Sequence, residues 1–356
     1  MNETINSPRQ KYLLNLISQH AGIKQIDLLQ ILSPIYGISR ATLLRDLNLL
    51  VTQNLIKKSG SAQTILYYPI FTHPLLHPFS VDRYFADSAD QRLNVHHRFN
   101  FTIFPNLHTI FSPQELHNLQ KNTRGLTSIE TQLSPYTFKR ELERFCVELS
   151  WKSSEIEGNT YTLFETETLL TEHRAATGKT EAETQMILNH KNVFDTMLQN
   201  RNDFTTLSIS SINQLHNLLV TNLNVPTGIR LESVGITGTT YLPLDNEHQI
   251  REALEQTIKA INQTQNPWEK ALIAITLIPY IQVFSDGNKR TGRMLGNAIL
   301  LAHNLLPISY RSLDKEVIKK ALIIFYEQNT LLPFKQLFID QIIFANSTYF
   351  RTNTII

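Results

Sequence analysis

The stretch that most constrains this chain is an apolar run that ends in a glycine turn and a cluster of cations. Residues 272–281 are almost wholly apolar, with Pro279 inside, and residues 281–293 read IQVFSDGNKRTGR. The run reads as a buried helix, the glycine breaks it, and a second helix starts near Asn288. A tight turn opening a helix directs unpaired backbone N–H groups outward at the positive end of the helix dipole, which favours a bound anion. Arg290 and Arg293 lie three apart and project from one face toward that turn, with Lys289 beside them. Asp286 is suited to hold the magnesium ion that accompanies a nucleoside triphosphate. The plainer alternative is a helix-capping glycine followed by a solvated basic turn.

The neighbouring residues favour the phosphate reading. Phe284, Asp286, Gly287, Asn288, Lys289, Arg290 and Arg293 resemble the signature of the Fic family, HxFx(D/E)GN(G/K)RxxR. Gln282 stands where that signature has its histidine. A second motif lies upstream, where Phe138, Leu142, Phe145 and Leu149 mark the buried face of a helix leading into SSEIEGN. Ser153 and Glu157 are one turn apart on one face, and Gly158 ends the helix, leaving Glu157 at its tip. This is similar to the (S/T)xxxE(G/N) of self-inhibited Fic proteins. The resemblance implies that Glu157 pairs with Arg293 and denies a triphosphate its seat. Residues 228–243, GIRLESVGITGTTYLP, carry the clearest β signal in this half of the chain and read as a hairpin. They resemble the family's flap. Ile236, Thr237 and Gly238 would then border the nucleotide, and the exposed edge would align a target segment by strand addition.

The family's reaction moves AMP from ATP, with Mg²⁺, to a Ser, Thr or Tyr hydroxyl of a protein, which could be the chain itself. Carried over, Asp286 is the magnesium ligand, Gly287, Asn288, Lys289 and Arg290 form the phosphate cradle, and Arg293 serves the triphosphate. Gln282 occupies the place of the base and cannot act as one. A carboxamide has no pKa near neutrality, and loss of a positioned base costs about 10² to 10⁴ in rate. The resemblance thus implies an adenylyltransferase architecture held in check by Ser153, Glu157 and Gly158 and impaired at Gln282. A nucleotide-sensing DNA-binding regulator without catalysis is the alternative. AMP removal ranks below both, because the leaving hydroxyl would lack a histidine to reprotonate it.

The rest of the chain is expected to be mostly α: a Fic-type helical bundle with a β-hairpin flap, preceded by a winged-helix domain. Residues 1–70 read as three short helices and a hairpin, with Ser39 capping the third helix. Arg40, Thr42, Arg45 and Asn48 lie on that helix and are of the types that reach bases and phosphates. Arg9, Lys11, Lys24, Arg40, Arg45, Lys57 and Lys58 outnumber the acids of this segment, so DNA is a candidate partner. Pairing of two copies through this domain, giving a homodimer, is the other candidate role. Residues 71–130, rich in Pro, His and Phe, read as a linking segment that packs on the next domain. The Fic domain is expected over 131–345 with its inhibitory helix near 138–158, and 346–356 form a tail.

Two decoys can be set aside. TGKT at 177–180 is not a P-loop, because His173 stands where that motif needs a glycine. His73, His77, His96 and His97 lack the spacing of a ligand set. With 356 residues the chain is long enough for two or three units, and its net charge of +2 places any basic surface locally. One cysteine, Cys146, excludes an intramolecular disulfide and fits a reducing compartment. The first residues lack an apolar signal region, and no run approaches the roughly 18 apolar residues of a membrane span, so a cytoplasmic protein is expected.

Overall fold

A computed structural model describes residues 7–20, 22–61, 65–70 and 73–351. The chain divides into two compact units, the first running to Ala86 and taking in Thr330–Pro333, the second formed by Asp87–Asn329 and the residues from Phe334 onward. The boundary therefore falls after Ala86, not at residue 70.

In the first unit α1 (Pro8–Gln19) leads through β1 (Ile23–Lys24) to α2 (Gln25–Tyr36) and α3 (Arg40–Thr52). Strands β2 (Ile56–Ser59) and β3 (Leu66–Pro69) and a single turn of helix, α4 (Val81–Tyr84), follow. The sheet is antiparallel in the order β1-β3-β2, with Ile56 opposite Pro69 and Ile23 opposite Tyr67. Thr64, placed in a strand from the sequence, lies outside the described residues. Strand β1 escaped the sequence because two residues show no alternation. Ser39 caps α3 by accepting a hydrogen bond from the Thr42 backbone. Leu13, Ile17, Leu28, Leu32, Leu43, Leu47 and Leu50 are fully buried in one core, the apolar faces of three amphipathic helices turned inward. Beyond residue 70, Leu75 is also buried, so the proline-rich stretch packs.

The second unit is a helical bundle. Its early part, read as a linking segment, contains α5 (Pro113–Asn122) and α6 (Leu126–Gln132). Pro113, one of the prolines that made this stretch read as a linking segment, occupies the first turn of α5, where its missing N–H costs nothing, behind a Ser112/Glu115 capping box. Next come α7 (Pro135–Ile156), α8 (Leu163–Glu172), α9 (Glu181–Gln199) and α10 (Ile209–Val220). After an irregular stretch, α11 (Glu247–Gln263), α12 (Pro267–Ile281), α13 (Asn288–Ala302), α14 (Lys315–Gln328) and α15 (Leu332–Thr348) complete it. Helix α11 buries Ile250, Ala253, Leu254, Thr257 and Ile261, a stripe at helical spacing. The expected tail is partly core, with Tyr349 and Phe350 buried; residues 352–356 of that tail lie outside the described residues.

At the centre stand α12, buried from Trp268 to Ile281, and α13. Gly292 and Gly296 let them close on one another. A Cβ on Gly296 would lie 2.5 Å from Ile275 Cγ1, and one on Gly292 3.1 Å from the Ile275 carbonyl. Pro279 denies that carbonyl its helical donor. No described helix is long and apolar enough to cross a membrane.

Candidate functional site

The turn between α12 and α13 is built differently from the sequence expectation in one respect. The residue that ends α12 is Gln282, in the left-handed region at φ 54°, with its N–H donating to the Ile278 carbonyl. Gly287, at φ 82°, takes the cap position of α13, where a Cβ would press on Val220 at 3.3 Å. Asn288 closes the loop between them. Its Oδ1 accepts from the Phe284 N–H at 2.9 Å, and its Nδ2 donates to the Phe284 carbonyl at 2.7 Å and to Gln282 Oε1 at 3.0 Å. Gln282 Nε2 donates to the Pro279 carbonyl at 2.7 Å. Both ends of the Gln282 amide are therefore engaged, and the side chain is buried.

From α10, His216 braces this loop. Its ring stacks on Phe284 with centroids 3.7 Å apart and 7° between planes. Its Nε2–H donates to the Asp286 carbonyl at 3.0 Å. Burial depresses its pKa, against the opposing effect of that hydrogen bond. The sequence held one clue, a histidine among Ile212, Leu215 and Leu219 on the buried face.

On α13, Arg290 is buried and donates through Nη2 to Asp286 Oδ2 at 2.9 Å, while its Nη1 is buried without a hydrogen-bond partner among the described residues. An unpaired guanidinium nitrogen beside the start of a helix is a seat for an anionic oxygen. The Asp286 side chain is 67% exposed at the mouth of the turn. A single accessible carboxylate suits magnesium, which keeps several waters and shares its shell with substrate phosphates.

Helix α7 delivers the opposing acid. Glu157 caps its end and Gly158, at φ 100°, turns the chain away. Arg293 Nη1 donates to Glu157 Oε1 at 2.8 Å, its Nε to Ser153 Oγ at 3.0 Å, and its Nη2 to the Ser153 carbonyl at 2.8 Å. Lys289 Nζ meets the other carboxylate oxygen at 3.0 Å. The sequence pointed to one cation for Glu157; the fold supplies two. Burial alone would raise the Glu157 pKa, but Arg293 and Lys289 outweigh it and hold it at about 2.

Residues 228–243 do not form the expected hairpin: the described residues show no strand paired with another inside this stretch, and Leu242 instead makes an isolated parallel bridge with Arg98. Their side chains serve α12 instead. Arg230, buried, donates through Nε to the Gln282 carbonyl at 2.6 Å, through Nη1 to the Glu232 carbonyl at 2.6 Å and through Nη2 to the Leu244 carbonyl. The Tyr241 hydroxyl takes the Tyr280 carbonyl at 2.8 Å. Helix α12 ends with carbonyls that need donors, and this loop provides them from its side chains. Ile236 is half-buried and Thr237 exposed in this loop. The Gly238 carbonyl accepts from Arg92 Nη1 at 3.0 Å, and Arg92 also pairs with Glu327, which accepts from the Thr239 hydroxyl. The Leu242 N–H donates to the His97 carbonyl at 2.9 Å, so residues 92–98 lie beside the loop.

In the first unit Arg40, Arg45 and Asn48 are exposed, while Thr42 is half-buried and shares the Ser39 cap. Arg9 is not a free charge, since it pairs with buried Asp46 at 2.7 Å.

Together, fold and site define a mostly helical protein whose central helix pair is joined by a glycine turn, with Glu157 ion-paired to Arg293 and Lys289 beside it. Residues 206–300 match the model of the Fic/DOC family, and the chain carries a domain of that family. A protein adenylyltransferase Fic of Nematostella vectensis is 27% identical over 184 residues, half of this chain and 42% of that protein. A probable protein adenylyltransferase of Aquifex aeolicus is 31% identical over 96 residues, 26% of this chain and 30% of its own length. The chain thus spans less than half the length of these relatives. Among solved structures, Fic-1 (aa134 - 508) of Caenorhabditis elegans superposes with a TM-score of 0.57 at 19% identity, over 66% of this chain and 70% of that one. A Fic domain containing signaling protein of Bacteroides thetaiotaomicron gives 0.55 at 21% identity, over 65% and 94%. At these identities the structural likeness is one of fold.

Proposed function

We propose that the chain is an ATP-binding protein adenylyltransferase by architecture, held closed by Glu157 and weakened in its chemistry at Gln282. The observation that carries this reading is the clamp itself: Glu157 grips Arg293 and Lys289 beside a turn where Arg290 Nη1 waits unpaired. A triphosphate seated on Gly287, Asn288, Lys289 and Arg290 would compete with Glu157 for both cations. In the transfer, a Ser, Thr or Tyr hydroxyl oxygen of a protein target bonds to the α-phosphorus, the bond to pyrophosphate breaks, and the hydroxyl proton must leave. Asp286 would hold Mg²⁺, which neutralises phosphate charge when bound. Gln282 cannot take the proton, because its Oε1 already accepts from Asn288 and an amide is not basic.

The test uses labelled ATP and Mg²⁺ with the parent chain, Gln282→His, and Gln282→His with Glu157→Gly. Labelling of a lysate protein or of the chain itself is expected to rise in that order. If the doubly changed protein labels nothing, the transferase reading is lost.

A second reading is favoured by the first unit, whose α3 exposes Arg40, Arg45 and Asn48 while β2 exposes Lys57 and Lys58. As a winged helix, this unit would bind DNA and the Fic domain would sense nucleotide. Promoter-fragment binding that is lost in Arg40→Ala with Arg45→Ala and altered by ATP supports it; indifference to both defeats it.

A further inference from the structure

The clamp on Arg293 has a third member behind it. Ser153 Oγ accepts from Arg293 Nε, so its own hydroxyl hydrogen needs another acceptor. That acceptor is His190 on α9, whose Nε2 lies 2.9 Å from Ser153 Oγ. The other ring nitrogen, Nδ1, lies 2.8 Å from the Met186 carbonyl, which can only accept, so Nδ1 carries the proton and Nε2 a bare lone pair. Every bond in the row then has one direction: Arg293 Nε–H to Ser153 Oγ, Ser153 O–H to His190 Nε2, His190 Nδ1–H to Met186 O. Ser153 and His190 are both 0% exposed, so neither faces bulk water that could replace its partner. Burial depresses the His190 pKa to about 3, with the positive charges of Arg290 and Arg293 adding to it, so the ring stays neutral and the row keeps its direction near neutrality.

We propose that His190 is a positioning residue of the inhibitory clamp: by accepting from Ser153 it turns the serine lone pair toward Arg293 and sets how firmly that arginine is withheld from a triphosphate. Without the acceptor, a helical serine turns its hydroxyl to the carbonyl four residues back, here Leu149, and Arg293 loses its Nε partner. Glu157 and Lys289 would remain in place, so the clamp weakens rather than vanishes. This rests on the reading that Glu157 and Arg293 together bar the triphosphate.

The test is calorimetric titration of the full chain with ATP and Mg²⁺, Gln282 being left as it is so that turnover does not intrude. Loss of one buried hydrogen bond to a charged group predicts roughly tenfold tighter ATP binding in His190→Phe. Ser153→Ala should match it, and the two changes together should gain no more than either alone, since they remove one bond. His190→Gln, whose amide oxygen can accept from Ser153, should return affinity toward the parent; a purely structural role would not show this rescue. If Glu157→Gly tightens binding but His190→Phe does not, or if the two single effects multiply, the role of His190 is overturned. If Glu157→Gly itself changes nothing, the clamp reading fails and this proposal with it. Nitrogen NMR of the parent chain decides the matter independently of how the variants fold: a bare Nε2 in His190 supports the row, and a protonated Nε2 overturns it.

Discussion

Replacing Glu157 by glycine should convert a guarded nucleotide seat into an open one, and the structure sets the scale of the effect. Burial works against the Glu157 carboxylate, yet Arg293 and Lys289 bring its pKa from 4.5 down to about 2. A carboxylate held that far below its usual range corresponds to about 3 kcal/mol, on the order of a few hundredfold in an equilibrium constant. A triphosphate must displace this interaction, and Lys289, 32% exposed, contributes less than Arg293 because water screens it. The expected gain in ATP affinity for Glu157→Gly is therefore about a hundredfold, read by calorimetry at neutral pH with Mg²⁺. Glu155→Gln is the control. Glu155 lies on the same helix but pairs with Lys152 at 2.8 Å, so affinity should stay at the parental value. An affinity for Glu157→Gly within about threefold of the parent would show that the carboxylate does not contest the phosphate seat, and the account of the clamp would fall.

The same carboxylate makes stability depend on pH. Its folded pKa lies below its unfolded one, so its contribution is full above about pH 4.5 and fades as pH falls toward 2. The gap in unfolding free energy between the parent chain and Glu157→Gln should be flat above pH 5 and shrink below it; a gap unchanged at pH 3 contradicts the assignment. Gly296→Ala places a methyl 2.5 Å from Ile275 Cγ1 and should cost about 1–3 kcal/mol in urea unfolding, part of it recovered by adding Ile275→Ala. Arg92→Ala removes the guanidinium that ties the Gly238 carbonyl to Glu327. Amide exchange over 238–242 should quicken while α12 and α13 stay protected, and uniform protection would show the tie to be idle.

What could be read from the sequence was what is local. The residues 281–293 stand close enough along the chain that helix, turn and helix follow from composition and spacing alone, and Ser153, Glu157 and Gly158 lie within six residues at the end of a single helix. Patterns of that kind identified the buried helix before the turn and the basic helix start after it, while the pairing of Glu157 with Arg293 came from the family resemblance. The reading of 228–243 as a hairpin went astray for the opposite reason. The backbone N–H groups of Arg230 and Leu242 go to the Val283 and His97 carbonyls rather than to each other's strand, a demand written in different parts of the chain. Pro113 misled in a similar way, because a proline at a helix start and a proline in a linker look alike until Ser112 and Glu115 are seen to close the cap.

The sequence by itself determined which groups are present: a glycine turn, three cations, one carboxylate on each side, and an amide in the position of a base. Tertiary packing decided how they are partnered. It gave Glu157 the second cation, Lys289, stacked His216 under Phe284, and locked the Gln282 amide between Pro279 and Asn288. It also set His190 behind Ser153, from a helix more than thirty residues further along the chain. The physical reason is that charge, chirality and helical period act over a turn or two of backbone. A hydrogen bond between buried side chains on separate helices exists only once the core has brought those helices together.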